Sequence, residues 1–142
     1  MPDEAVQRPE LRPPILFLYG SLRRGEGNYL KLELARRLRF MMPGVVRGRL
    51  YDLGPYPAFV EGDGITRGEL FEPADATILA DLDAFEGYDP TDPSGSWYVR
   101  QPIRLDGPSA EAFIYRYNGP IDGRPEIVSG DWVSYRLARD AA

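Results

Sequence analysis

Apolar residues come in short bursts along this chain, and the bursts change period. Ile15-Leu16-Phe17-Leu18-Tyr19 is an uninterrupted apolar run ending at Gly20, the pattern of a buried strand that enters a tight turn. Beyond Gly25 and Gly27, Asn28 is placed to cap a helix in which Leu30, Leu34 and Leu38 recur every four residues, and which stops before Pro43-Gly44. Val45 to Leu53 and Ile65 to Glu72 alternate in part and read as paired strands. They are separated by the turn signals Gly54-Pro55-Tyr56-Pro57 and Gly62-Asp63-Gly64. A second helix runs from an Asp75 N-cap to Phe85-Glu86, with Gly87 as its stop. Trp97 to Leu105 and Ala110 to Tyr117 predict two further strands joined by Asp106-Gly107-Pro108. A loop over 119–130 and a closing helix over 131–138 complete the pattern. Strands outnumber helices and mostly follow one another directly, which predicts an α+β fold with a mixed or mostly antiparallel sheet, either open or closed into a barrel, rather than a doubly wound one.

Composition narrows the chemistry. A chain of 142 residues, 43% of them hydrophobic, matches one domain with its own core, expected over residues 15–142, and residues 1–14, with four prolines, read as a flexible leader. Cysteine and histidine are both absent and Lys31 is the single lysine. Serine and cysteine triads, thiolate or imidazole metal sites and imidazole proton shuttles are therefore excluded, and Schiff-base chemistry would rest on one helical lysine. A general base working near neutral pH then has to be a carboxylate with a raised pKa. The acidic residues are scattered and form no metal-loop pattern. A net charge of −5 argues against nucleic acid or an anionic membrane as partner, and Arg36, Arg37 and Arg39 read as a solvated face. No apolar run reaches the roughly 20 residues that span a bilayer. Without cysteine or a secretory signal, the cytoplasm is the expected compartment.

Two places could carry function. On the second helix Ile78, Leu79, Leu82 and Phe85 form an apolar stripe, and Glu86 lies on or beside that stripe, while Asp81 and Asp83 read as solvated. Burial and the negative end of the helix would both raise the pKa of Glu86. From the pattern alone an exposed last-turn glutamate is the commoner case. The other place is the turn Tyr19-Gly20-Ser21-Leu22, whose successive N–H groups could converge on an anionic oxygen, with Ser21 adding a hydroxyl and Tyr19 an aromatic wall and a donor; a plain tight connection is again the commoner case. The Arg-Arg-Gly-Glu-Gly that follows matches neither a P-loop nor a dinucleotide fingerprint.

The blocks Phe17-Leu18-Tyr19-Gly20-Ser21-Leu22-Arg23-Arg24-Gly25 with Asn28, Gly48-Arg49-Leu50-Tyr51-Asp52-Leu53-Gly54 with Tyr56-Pro57-Ala58, Arg67-Gly68-Glu69-Leu70-Phe71, and Leu82-Asp83-Ala84-Phe85-Glu86-Gly87-Tyr88 occur in this order, followed by Trp97-Tyr98-Val99-Arg100 and Ala112-Phe113-Ile114-Tyr115. Together they resemble the gamma-glutamylcyclotransferase-like family, in the branch holding gamma-glutamylamine cyclotransferase and plant AIG-two-like proteins. The resemblance implies a barrel of about six strands flanked by helices. It also implies an enzyme that releases 5-oxoproline from a small gamma-glutamyl amide, with Glu86 as catalytic acid/base, Tyr19, Gly20, Ser21 and Leu22 binding the substrate, and no metal or cofactor. Tyr29 stands where the family often has histidine, a change at the pocket rim or the helix start. The polar segment 89–96 reads as a solvated loop or as a lid that selects the leaving group. Tyr98, Tyr115 and Tyr117 could line the pocket or serve as core. A non-catalytic small-ligand binding or interaction protein on the same fold is the alternative.

Overall fold

The computed structural model describes residues 15–75, 77–107 and 110–141, so the expected leader lies outside the described residues. Strand β1 (Leu16–Leu18) leads through helix α1 (Gly27–Lys31) into two long strands, β2 (Leu38–Asp52) and β3 (Pro57–Pro73). Helix α2 (Thr77–Glu86), strands β4 (Tyr98–Gly107) and β5 (Glu111–Tyr117) and helix α3 (Trp132–Ala141) follow, with single 3-10 turns at Leu34–Arg36 and Pro93–Gly95. The strands close into a barrel in the order β1-β3-β2-β4-β5. Every pairing is antiparallel except that of β1 with β5, where Leu16 lies opposite Phe113. The α+β barrel is the expected one, with five strands among the described residues rather than six.

Alternation along β1 sends Phe17 and Tyr19 into one core cluster and Leu16 and Leu18 into another. The first holds Phe59, Leu70, Ile114 and Trp132 of α3, and the second takes Ile78 and Leu82 of α2. One short strand is thus fixed from both faces, and the turn after it inherits that rigidity.

The expected long first helix is replaced by a single turn. Glu33 takes a left-handed conformation at φ 55, which ends α1, and β2 begins at Leu38, with Phe40 paired to Phe71 of β3. Leucines spaced by four suit a helix, but pairing along β3 outweighs that local preference. Asn28 is not the cap: Glu26 holds that position, and the Asn28 amide donates to Ser21 Oγ at 2.8 Å. Gly62-Asp63-Gly64 does not separate strands either. It lies inside β3, where residues 61–64 loop out opposite Gly48 while pairing resumes at Arg47 with Ile65 and at Arg49 with Val60. Asp75 does receive the Thr77 amide at 2.9 Å, as a helix start requires. Asp131 does the same for α3, accepting from the amides of Val133 and Ser134 at 3.1 and 3.3 Å. Arg36, Arg37 and Arg39 each pair with a carboxylate, of Glu33, Asp81 and Glu72 respectively. Among the described residues no helix is long and apolar enough to cross a membrane.

Candidate active site

The turn after β1 is clamped from outside. The Gly20 carbonyl accepts from Arg23 N at 3.0 Å and the Ser21 carbonyl from Tyr29 N at 3.2 Å. The buried Glu69 carboxylate receives the Arg24 amide at 2.9 Å, and Arg23 pairs with Asp131 at 3.0 Å. The N–H groups of Gly20, Ser21 and Leu22 take no acceptor among the described residues, and all three residues line one cavity. Successive N–H groups of this kind can converge on an anionic oxygen. Glycine is required at position 20 by close approach, since a Cβ there would lie 2.9 Å from Pro57 Cγ.

Helix α2 delivers the carboxylate. Ile78 and Leu82 are buried, Leu79 and Phe85 pack beside them, and Glu86 follows at the last helical position. At Gly87 the chain turns left-handed, φ 71, and the Tyr88 amide reaches back to the Asp83 carbonyl at 2.8 Å, a glycine C-cap that fixes the angle at which Glu86 leaves the helix. Glu86 faces the same cavity, of about 350 Å³, as Tyr19, Gly20, Ser21 and Leu22, so all five residues singled out in the sequence come together.

Burial in this cavity, and then the negative charge of Asp83, push the Glu86 carboxyl up to about 8, and no hydrogen bond among the described residues counters them. Asp83 is the residue that sequence reasoning misplaced. It is buried, not solvated: Arg100 Nε and NH2 donate to its two oxygens at 2.8 and 3.0 Å, and the Tyr115 hydroxyl donates at 2.6 Å. Its partners come from β4 and β5, so a helical projection of α2 could not reveal them.

Tyrosines form the walls, and most of their hydroxyls are committed. Tyr19 donates to the Tyr115 carbonyl at 2.6 Å and accepts from Phe59 N at 3.3 Å, so it offers a ligand its ring but not its proton. Burial, reinforced by Tyr98 and Glu86, holds the Tyr19 phenol well above its usual range. Tyr98 donates to the Pro57 carbonyl at 2.8 Å. Tyr98, Tyr115 and Tyr117 are thus both packed and pocket-lining, and Leu53, Tyr56, Pro57, Phe85 and Trp97, unmarked as site residues by the sequence, join them. Tyr56 and Trp97 carried a signal, as exposed aromatics beside turn residues. Tyr29 is not at the rim: its ring packs against Phe71, and its amide holds the start of α1 to the Ser21 carbonyl. Residues 89–96 do not line the cavity, whereas Trp97, which follows them, does.

Among the described residues no three acidic, histidine or cysteine side chains gather as a metal set. The cavity is lined both by Glu86, whose carboxyl is pushed up to about 8, and by three residues whose N–H groups take no acceptor among the described residues. That pair suits a reaction in which a proton moves while negative charge grows on an oxygen.

The family model described as "Gamma-glutamyl cyclotransferase, AIG2-like" matches residues 16–134. The gamma-glutamylcyclotransferase family protein YtfP of Escherichia coli is 38% identical over 118 residues, which is 83% of this chain and 95% of that one. The solution structure of the Escherichia coli protein superposes with a TM-score of 0.61 at 32% identity, covering 86% of this chain and 98% of that one. The gamma-L-glutamyl-butirosin B gamma-glutamyl cyclotransferase of Niallia circulans is 29% identical over 126 residues, 87% of this chain and 78% of that protein.

Proposed function

The chain belongs to the gamma-glutamyl cyclotransferase, AIG2-like family, and on that footing we propose that it releases 5-oxoproline from a small gamma-glutamyl amide by intramolecular aminolysis, with Glu86 as general acid/base. The observation that carries this reading is the shared cavity: it is lined by Glu86, whose carboxyl is pushed up to about 8, and by Gly20, Ser21 and Leu22, whose N–H groups take no acceptor among the described residues.

Ionised Glu86 takes a proton from the substrate's α-amino group as its nitrogen attacks the γ-carbonyl carbon, closing a five-membered ring. The negative charge that develops on the carbonyl oxygen is held by the turn's N–H donors. Collapse of that intermediate breaks the bond to the original amide nitrogen, and Glu86 returns its proton to the departing amine. The proton balance closes on one carboxylate. At pH 7 a group titrating at about 8 is ionised in about one molecule in ten, enough for catalysis and basic enough to draw the proton efficiently. Pre-set donors and a single base are the only parts the step requires, and the ring closure itself gains from holding both reacting ends in one small cavity.

The test is incubation of the wild-type protein with a panel of gamma-glutamyl amides and quantification of 5-oxoproline. Release supports an enzyme; tight binding of the amides without release assigns the chain to small-ligand binding instead.

A further inference from the structure

One wall of the cavity draws its support from far along the chain. Leu53, Tyr56 and Pro57 line it, and they belong to the connection between β2 and β3, in which Gly54, Pro55 and Tyr56 are exposed. A backbone bond from Leu53 N to the Tyr56 carbonyl at 2.9 Å closes this hairpin. Exposed hairpin tips are ordinarily among the most mobile parts of a domain. This one lies against the binding turn, where a Cβ at Gly20 would meet Pro57 Cγ at 2.9 Å, so any looseness in it reaches the site.

Helix α3 supplies a hold on it. Trp132, Tyr135, Arg136 and Arg139 recur at the spacing that puts side chains on one face of a helix. Trp132 anchors that face in the core, with the Tyr135 ring beside it at 6.2 Å and the Arg139 guanidinium 5.3 Å over its ring. From this anchor Tyr135 donates to Asp52 Oδ2 at 2.7 Å, and Arg139 donates to Asp52 Oδ1 at 3.1 Å and to the Gly54 carbonyl at 2.6 Å. The Gly54 amide donates to the same Asp52 Oδ1 at 2.6 Å. One guanidinium thus bridges the carboxylate at the base of the hairpin and a carbonyl inside it. On the same helix face Arg136 grips the buried carboxylate of Glu26, just past the binding turn, through Nε at 3.1 Å and NH2 at 2.9 Å. The turn and the hairpin, both lining the cavity, are therefore tied to one helix. An isolated surface ion pair would contribute little. The Asp52 carboxylate, in contrast, is 10% exposed and takes donors from Gly54, Tyr135 and Arg139, which fixes its geometry. Tyr135 and Arg139 lie past residue 134, where the family match ends, so the matched segment does not contain this hold.

We propose, resting on the cyclotransferase reading for the ligand, that Tyr135 and Arg139 are positioning residues: by holding Asp52 and Gly54 they set the Leu53–Pro57 wall against the binding turn before a ligand arrives. A wall ordered in advance costs no ordering when the ligand binds. Glu86 is carried by α2, whose Asp83 is bonded to β4 and β5, so releasing the hairpin leaves its titration in place. Loss of the hold therefore weakens binding and raises KM, while kcat and the acidic limb of activity stay where they are.

The test compares wild type with Arg139→Ala, Arg139→Lys and Tyr135→Phe, the last keeping the ring and removing only the hydroxyl. Arg39→Ala is the control, since it removes an exposed pair with Glu72 and neither residue lines the cavity. Amide hydrogen exchange on the full chain should accelerate at Leu53 and Gly54 by at least about fivefold in Arg139→Ala, less in Tyr135→Phe, and not in Arg39→Ala. The dissociation constant of 5-oxoproline, and KM for the gamma-glutamyl amide turned over fastest, should rise at least about fivefold in Arg139→Ala with kcat changed by less than about twofold. Arg139→Lys should recover part of the loss, because an ammonium can reach Asp52 but lacks the planar fork of the guanidinium. Unchanged exchange at Leu53 and Gly54 in both Arg139→Ala and Tyr135→Phe overturns the proposal and leaves the cyclotransferase reading standing. Faster exchange with unchanged KM and dissociation constant also overturns it. Faster exchange in the variants, in a protein whose wild type releases no 5-oxoproline from any amide, keeps the hold on the wall and removes the cyclotransferase reading.

Discussion

Replacing Asp83 by asparagine should move the acidic limb of activity toward lower pH. Asp83 precedes Glu86 by three positions on α2, a spacing that brings side chains to about 5–6 Å. Two like charges at about 6 Å in an effective dielectric of about 20 repel by about 3 kcal/mol, or roughly two pKa units. Arg100 already neutralises part of Asp83 from the opposite side, so a net downward shift of about one unit is expected. The guanidinium left without its counter-ion pulls in the same direction. The asparagine oxygen can still accept from the Tyr115 hydroxyl, which keeps the local geometry.

Glu86 must be ionised to act as base, so wild-type kcat/KM on a gamma-glutamyl amide should fall below about pH 8 and the variant's below about pH 7. At pH 6, activity as a fraction of each protein's own plateau should rise about tenfold in the variant, while the plateau itself drops because a weaker base draws the proton less well. The substrate's α-ammonium titrates alike in both assays, so the displacement between the limbs belongs to the enzyme. Profiles from pH 5.5 to 9.5 at constant ionic strength, with melting curves to confirm folding, decide the matter. A limb that stays in place, or moves to higher pH, refutes the coupling of Asp83 to Glu86.

The cradle and the Glu86 carboxyl give two more expectations. Gly20→Val places carbon against Pro57 and should abolish 5-oxoproline binding, whereas Ser21→Ala, which loses only the bond from the Asn28 amide and keeps the backbone donors, should cost about 1 kcal/mol; calorimetry on variants shown to be folded by circular dichroism checks the ordering, and tight binding by folded Gly20→Val would reduce the turn to a connection. Glu86 titrates near 4.5 when unfolded and about 8 when folded, so the native state holds the extra proton in between, and the stability this group contributes is complete below about pH 4.5 and lost as pH rises through 8. Glu86→Gln should therefore gain stability over wild type between pH 5 and pH 9, by at most about 5 kcal/mol, in urea titrations; a difference that stays flat with pH would mean the carboxyl is not perturbed.

Local pattern marked the two places of the candidate site, and the family resemblance chose between their functional and commoner readings. The run from Ile15 to Tyr19, the stripe on α2 and the glycine after Glu86 each report a local requirement, and they locate the turn and the carboxylate. Three features were not legible because tertiary pairing decides them. Leu34 and Leu38 fit a helix, but Leu38 is drawn into the ladder opposite Pro73. Gly62-Asp63-Gly64 has the chemistry of a turn, yet β3 is held on both sides of it by β2, so the segment bulges instead of reversing the chain. Asp83 lies off the apolar stripe and would be solvated in an isolated helix; Arg100 and Tyr115, 17 and 32 positions away, make its burial tolerable. The same residue supplies the second push on Glu86, so sequence reasoning reached the raised pKa with only part of its cause.

The most direct test of the central claim is 5-oxoproline release by wild type and Glu86→Gln side by side, on whichever gamma-glutamyl amide the wild type turns over fastest. The amide of glutamine keeps the shape but cannot take the proton, so turnover should fall by at least about 10²–10⁴-fold while 5-oxoproline still binds and the protein stays folded. Wild-type turnover in folded Glu86→Gln on that substrate would contradict the assignment of Glu86.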